Sequence, residues 1–475
     1  MPDTGQQKQN GTFDIFYPES IAIAGVSSDS GGFSAGRNFL DVLIEAGYKG
    51  KIYPLNPKGG QVIGYRIYTS LQEIPGNVDY VISAVPARSA PQLMMECVAK
   101  QVKQVHIFTA GFSESGEEVG KELELKITDI ARQGGIRFTG PNGMGLYCPE
   151  SGLAFSPGLS TESGPVGFLS QSGSNVSYVI REGSSRGLFF SKAVSYGNAA
   201  DMNESDFIEY LADDSETTII GAYIEGVKNG RRFLSVTRKA ANKKPVIVLK
   251  GGITEAGKRS VASHTGSIAG TESTWSAVLT QAGVIQVYSL DELVDTTLLF
   301  RFMSPPKGRN VAIVGFGGGI GVQAADFCNR AGLQVPAVSK ETKDKLSLLW
   351  PAGAGSSLGN PFDLFGSSGE KSIEMTLSAI AEWEQAQIML IHVPVFINPR
   401  AGVQVLKTYT RSLVNLAPKL NTRTVVVLNY ILDEDTSTTI GEARTTLYRA
   451  GYPVFYSVDH AINALGRFVR YYQTW

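Results

Sequence analysis

Cysteine is scarce in this sequence: Cys97, Cys148 and Cys328 are the whole supply in 475 residues. They are widely spaced and no CxxC pair occurs, which excludes a disulfide framework and a cysteine-based zinc site. No apolar run approaches the roughly 18 residues that a membrane span needs. The opening segment, MPDTGQQKQNGTF, is polar and lacks the apolar core of a signal peptide. An excess of charge of one sign is missing too: 43 Lys and Arg stand against 44 Asp and Glu. No broad basic surface follows from that balance, so nucleic acid is not an expected partner. These absences predict a reducing compartment, most simply the cytoplasm, with no membrane association and no metal site.

Glycine, by contrast, is plentiful. It fills 53 of the 475 positions, above a usual share of about 7%. Glycine at strand-to-helix turns lets backbone amides approach a phosphate closely. A chain that is 43% hydrophobic and 18% charged suits a globular protein with large cores. Its length fits roughly two to four domains.

Short apolar runs alternate with helical stretches along the whole chain. In the first stretch the β-type runs are 20–26, 51–54, 80–84, 105–108 and 136–139, with helices expected over 37–46, 90–100 and 117–133. A second series starts near Gly164, with runs at 166–169, 189–194, 219–223 and 245–249 and a helix over 291–301. Residues 304–309, SPPKGR, read as a linker. A third series holds runs at 310–314, 388–393 and 424–428. Each series opens with an apolar strand, a glycine-rich turn and a helix. Alternation at this spacing predicts an α/β fold of mostly parallel, doubly wound sheets. The expected domains are 1–150, 151–304 and 305–475.

The first turn, GVSSDSGGFSAG at 25–36, is a candidate phosphate cradle. It is not GxGxxG, because Ser27 stands at the second glycine. No Asp or Glu follows the second strand where a ribose-binding acid belongs. That strand ends instead in Asn56, Pro57 and Lys58, and a lysine there suits a phosphate-bearing adenosine better than plain NAD. The bland alternative is a tight turn in an unliganded sheet. Loops 83–88 and 109–114 sit at the carboxyl ends of later strands, where α/β sheets bind ligands.

The second turn, SQSGSN at 170–175, is again anion-binding in type, with the hydroxyls of Ser172 and Ser174 as extra donors. It lacks GxSxG spacing, which argues against a serine nucleophile; a plain helix cap is the bland reading. Residues 251–270 are rich in small residues and carry His264, one of only four histidines. A lone histidine is more often structural than functional. Here its neighbours are small and hydroxylic, which leaves a nucleophilic imidazole accessible, and a mobile loop could carry a group between two sites. Glu225, at a strand end, could accept Nδ1–H of His264 and leave Nε2 free to attack phosphorus. Without that loop, Glu225 reads as a solvated strand-end acid.

Together these residues resemble the NDP-forming acyl-CoA synthetases, relatives of the succinyl-CoA synthetase α subunit. The stretch ASHTGSIAG at 262–270 is similar to that family's phosphohistidine motif. GPNGMG at 140–145 resembles its GPNCxG turn, with Gly143 at the usual cysteine. The runs 170–173, 315–321 (GFGGGIG) and 360–364 (NPFDL) resemble further motifs, the last two in its third domain. The resemblance implies a Rossmann-like CoA-binding domain followed by two flavodoxin-like domains. It implies that Gly25, Ser27, Ser28, Asn56, Pro57, Lys58, Val85, Pro86 and Thr109 line a CoA site. It also implies that Ser172, Gly173 and Ser174 hold a phosphoryl group, that His264 is transiently phosphorylated and that Glu225 steadies it. No counterpart of the family's ATP-grasp domain is found. A separate ATP-grasp β subunit binding ATP and Mg2+, in an α2β2 assembly acting on a carboxylic acid, is therefore expected. Two competing expectations are a non-catalytic CoA- or acyl-CoA-binding regulator and, disfavoured by the broken GxGxxG, a nicotinamide-dependent oxidoreductase.

Overall fold

The structure, a computed structural model, describes residues 14–28, 34–259, 271–315, 317–349, 357–364, 369–393, 399–420, 422–429 and 434–474. The chain divides into two compact units, Met1–Arg181 with Phe189–Gln286, and Glu182–Leu188 with Val287–Trp475.

The first sheet forms where the earliest apolar runs fall. Its strands are β1 (Ser20–Ala24) and β2 (Lys51–Leu55), then, after a hairpin of β3 (Gly60–Val62) and β4 (Tyr65–Ile67), β5 (Tyr80–Ser83), β6 (Gln104–Ile107) and β7 (Arg137–Thr139). Their order is β2-β1-β5-β6-β7, all parallel. Every residue of β1 is buried, as a parallel strand covered on both faces requires. Beyond β2 the edge continues in a single parallel bridge from Leu55 to Tyr68. With that rudimentary third strand the order reads 3-2-1-4-5-6, the Rossmann arrangement. Ala22, Val81, Val105, Phe112, Ile127 and Phe138 form its core.

The second sheet holds β8 (Gly145–Tyr147), β9 (Val166–Ser170), β10 (Phe190–Ser195), β11 (Ile219–Ile224), β12 (Val246–Lys250) and β13 (Ile285–Val287). Its order is β13-β12-β11-β9-β10-β8. The edge strand β8 runs antiparallel to β10, although its residues precede position 150, where the sequence reading places the first domain's end. The third sheet holds β14 (Val311–Gly315), β15 (Phe362–Asp363), β16 (Ile388–Val393), β17 (Arg423–Leu428) and β18 (Val454–Phe455), ordered β15-β14-β16-β17-β18. Apart from β8, both sheets repeat the flavodoxin-like order 2-1-3-4-5. The fold is thus the expected one: a Rossmann-like sheet followed by two flavodoxin-like sheets. The strand order reverses between β1 and β5, between β9 and β11 and between β14 and β16, and the crevice at such a reversal is where α/β sheets take ligands. In each sheet the glycine turn singled out in the sequence follows the strand at that reversal. Among the described residues no helix is long and apolar enough to cross a membrane.

Candidate active site

The crevice on the first sheet is built from short turns. Gly25 has φ +96°, and a Cβ there would lie 2.7 Å from the Ala84 carbonyl oxygen. A Cβ on Gly36 would lie 2.5 Å from the Gly25 carbonyl oxygen. The turn after β1 therefore lies so close to the turn after β5 on one side and to the helix Ala35–Glu45 on the other that only glycine fits at both places. Asn56 Nδ2 donates to the Val26 carbonyl at 2.9 Å, and Asn56 Oδ1 accepts the Lys58 amide at 3.0 Å. Thr109 Oγ1 donates to the Val85 carbonyl at 2.6 Å. Hydrogen bonds thus tie the β1 turn to the β2 turn and the β5 turn to the β6 turn. Gly25, Ser27, Ser28, Asn56, Pro57, Lys58, Val85, Pro86 and Thr109 share this carboxyl edge, with Ser28, Pro57, Lys58 and Pro86 exposed.

Residues 140–145 run from this crevice to the second sheet. The Asn142 amide donates to the Thr109 carbonyl at 3.1 Å. Asn142 Nδ2 donates to Asn198 Oδ1 at 3.4 Å. The Met144 amide donates to Ser195 Oγ at 3.0 Å, and a Cβ on Gly173 would lie 2.7 Å from Met144 Cγ. Between them, a Cβ on Gly143 would come within 2.6 Å of the Ser195 carbonyl oxygen, so a cysteine there would have to displace backbone. His106 Nε2 contacts the Gly143 carbonyl at 2.7 Å, and burial holds the imidazole down at about 4. The ring is neutral at physiological pH. A carbonyl only accepts, so Nε2 carries the proton.

The second turn opens the helix Gly173–Ser185. Ser170 Oγ donates to the Ser172 carbonyl at 2.8 Å and accepts its amide at 3.1 Å. Ser172 Oγ accepts the Asn175 amide at 3.4 Å, so the capping role is present, and lies 3.0 Å from Ser174 Oγ. The half-buried Ser172 and exposed Ser174 leave this helix start open to an anion. Gln171 joins the turn to β11: its Oε1 accepts the amides of Glu225 at 2.5 Å and Gly226 at 2.9 Å. The Glu225 carboxylate accepts the Tyr223 hydroxyl at 3.1 Å. Ser172, Gly173, Ser174 and Glu225 are therefore linked through one glutamine. His264 lies outside the described residues.

Two features escaped the sequence reading. Gln171 was legible only as a turn residue. Lys250, the last residue of β12, is buried, and its Nζ donates to the carbonyls of Glu225, at 2.7 Å, and Gly251. The one sequence signal was a lysine ending the apolar run PVIVL just before the Gly251–Gly252 pair.

On the third sheet, the two third-domain motifs meet. Asn360 Oδ1 accepts the Ile313 amide at 2.9 Å, and its Nδ2 donates to the Val311 carbonyl at 2.9 Å. Asp363 Oδ1 accepts the Gly317 amide at 3.3 Å. A cavity of about 270 Å³ opens between them, lined among others by Gly317, Gly318, Asp363 and His392. Among the described residues no group of three His, Cys, Asp or Glu side chains could hold a metal ion.

Comparison with known proteins places the chain in a family. A CoA binding domain matches residues 19–149, and a succinyl-CoA ligase like flavodoxin domain matches residues 163–300. That pairing defines the class: a CoA-binding α/β protein of the succinyl-CoA ligase type. The chain is 38% identical to the alpha subunit of ADP-forming acetate–CoA ligase I of Pyrococcus furiosus, over 80% of this chain and 82% of that one. It is 34% identical to the ADP-forming acetate–CoA ligase I of Archaeoglobus fulgidus, over 96% of this chain but only 63% of the relative's length. The solved acetyl-coenzyme A synthetase 1 of Ca. Korarchaeum cryptofilum, in complex with phosphate and ADP, superposes with a TM-score of 0.81 at 27% identity, covering 96% of this chain and 97% of that one. The chain belongs to the family of ADP-forming acyl-CoA ligases.

Proposed function

We propose that this chain is the alpha subunit of an ADP-forming acid–CoA ligase, working with a separate ATP-grasp β subunit in an α2β2 assembly. ATP and Mg2+ would bind on that partner. Its domains would be 1–150, binding CoA, 151–304, carrying the phosphohistidine loop, and 305–475. The observation that carries this reading is the continuous link from Thr109 through Asn142 and Met144 to Gly173. It joins the CoA-type crevice to a phosphate-type helix start inside one compact unit.

In the synthetic direction His264 Nε2 attacks the γ-phosphorus of ATP. The P–N bond forms, the bond to the bridging oxygen breaks, and ADP leaves. Glu225 holds the opposite ring nitrogen and the positive charge that develops there. A carboxylate oxygen of the acid then attacks the phosphorus, the P–N bond breaks, and an acyl phosphate results. The CoA thiolate attacks the acyl carbon, the C–O bond breaks, and inorganic phosphate leaves. Amides and hydroxyls at Ser172, Gly173 and Ser174 stabilise the charge on the moving phosphoryl group. Within the CoA crevice, Lys58 neutralises the phosphate at the adenosine end.

The test is labelling. With γ-32P-ATP and the ATP-grasp subunit, the chain takes up acid-labile, base-stable phosphate on one histidine. His264→Asn abolishes the label; a variant that still takes it up rejects the assignment.

A further inference from the structure

We propose that Lys250 is a positioning residue for phosphoryl transfer, its buried ammonium clamping the strand end that bears Glu225 to both flanks of segment 251–271. The proposal rests on the reading of the site given above and extends it to a residue that no motif marks.

The last pair in the β11–β12 ladder is Ile224 with Lys250. One backbone bond continues past it, from the Gly251 amide to the Ile224 carbonyl at 2.9 Å. Beyond that the two chains are joined by a side chain. Lys250 Nζ donates to the Glu225 carbonyl at 2.7 Å and to the Gly251 carbonyl. On its other side it lies 4.8 Å from the centroid of the Trp275 ring. Trp275 belongs to the helix Glu272–Gln281, which follows residue 270. One ammonium therefore gathers the end of β11, the start of segment 251–271 and the helix that receives it.

Burying a charge costs several kcal/mol unless it is compensated. Among the described residues its partners are two neutral carbonyls and a ring face, with no carboxylate paired to it. A methionine would fill the same space without that cost. Retaining a cation here points to a task beyond packing. Among the described residues the titratable groups facing it are Glu225 and Tyr223 on β11. Burial lowers the ammonium to about 8, and the Glu225 carboxylate opposes part of that lowering. The clamp therefore loses its charge just above physiological pH.

The experiment measures the initial rate of histidine labelling from γ-32P-ATP with the ATP-grasp subunit and no CoA, from pH 6.5 to 9.5, so that no CoA thiol titrates. Three variants are compared with the wild type: Lys250→Met, Lys250→Arg and His264→Asn. CoA binding is followed by calorimetry. The wild-type rate is expected to fall through an apparent pKa near 8. Lys250→Met is expected to label ~10–100-fold more slowly at pH 7, with CoA affinity unchanged. Lys250→Arg is expected to lose the alkaline fall, because a guanidinium stays protonated throughout. That arm stands even if Lys250→Met fails to fold. Wild-type labelling by Lys250→Met, or an unchanged alkaline limb in Lys250→Arg, overturns the role of Lys250 and leaves the reading of the site intact. A label that survives in His264→Asn overturns that reading and this proposal with it.

Discussion

Gln171 Oε1 accepts the Glu225 amide at 2.5 Å and the Gly226 amide at 2.9 Å. A residue of the phosphate-type turn thereby fixes the strand end carrying the candidate acid. Gly226, whose amide it accepts, is buried. Leaving a buried donor unmade costs about 1–3 kcal/mol. Gln171→Leu is therefore expected to lower the unfolding free energy by about 1–3 kcal/mol, read as a lower denaturant midpoint, and to slow histidine labelling, with CoA affinity unchanged. A midpoint equal to wild type would show that the glutamine does not hold this strand end.

Lys58 follows the second strand of the Rossmann-like sheet, and its amide is fixed by Asn56 while its side chain is exposed. An exposed lysine contributes modestly to a charged ligand. Lys58→Ala is expected to weaken CoA binding a few-fold in calorimetry at low salt. The same variant is expected to bind 3′-dephospho-CoA as the wild type does. An equal loss for both ligands would place the lysine elsewhere than at the adenosine phosphate.

How much of this was legible in the sequence follows from how local each signal is. β16 falls at 388–393, where the apolar run IMLIHV predicts it. β6 is displaced by one residue, because Gln104 is buried and joins the ladder despite its polarity. β8, β13, β15 and β18 are two or three residues long. Strands that short are made by a neighbouring ladder rather than by their own composition. Gly25 was legible because strand, turn and helix are contiguous in the chain. Gln171 and Lys250 act on partners 54 and 25 residues away. No local pattern announces such hydrogen bonds; only the parallel register of β9, β11 and β12 brings them about.

The second compact unit contains a buried ion pair whose stability effects have a definite sign. Arg186 and Asp295 side chains are only 2% and 3% exposed, with Nη2 at 2.5 Å from Oδ1. Arg186 also donates to the Val454 carbonyl at 3.1 and 3.3 Å and lies 4.7 Å from the Tyr456 ring centroid. Removing one member of such a pair costs up to about 3–5 kcal/mol when the other is stranded; Glu182, 3.6 Å from Arg186 Nη1, keeps part of that charge balanced, which sets the lower end of the range for Asp295. Asp295→Asn is expected to destabilise by about that amount, and the double variant Asp295→Leu with Arg186→Met to recover much of it. The other oxygen of Asp295 contacts His460 Nδ1 at 2.7 Å. That hydrogen bond, helped by the charges of Asp459 and Asp291 and opposed by burial, raises the imidazole above its ordinary value. A raised histidine binds its proton more tightly when folded. Its stabilisation is complete below the unfolded value, about 6.5, and fades as pH climbs through the higher folded one. His460→Asn is accordingly expected to flatten the decline of denaturant midpoint with pH above about 6.5. Parallel midpoint curves for variant and wild type would mean that the His460 proton contributes nothing to folding.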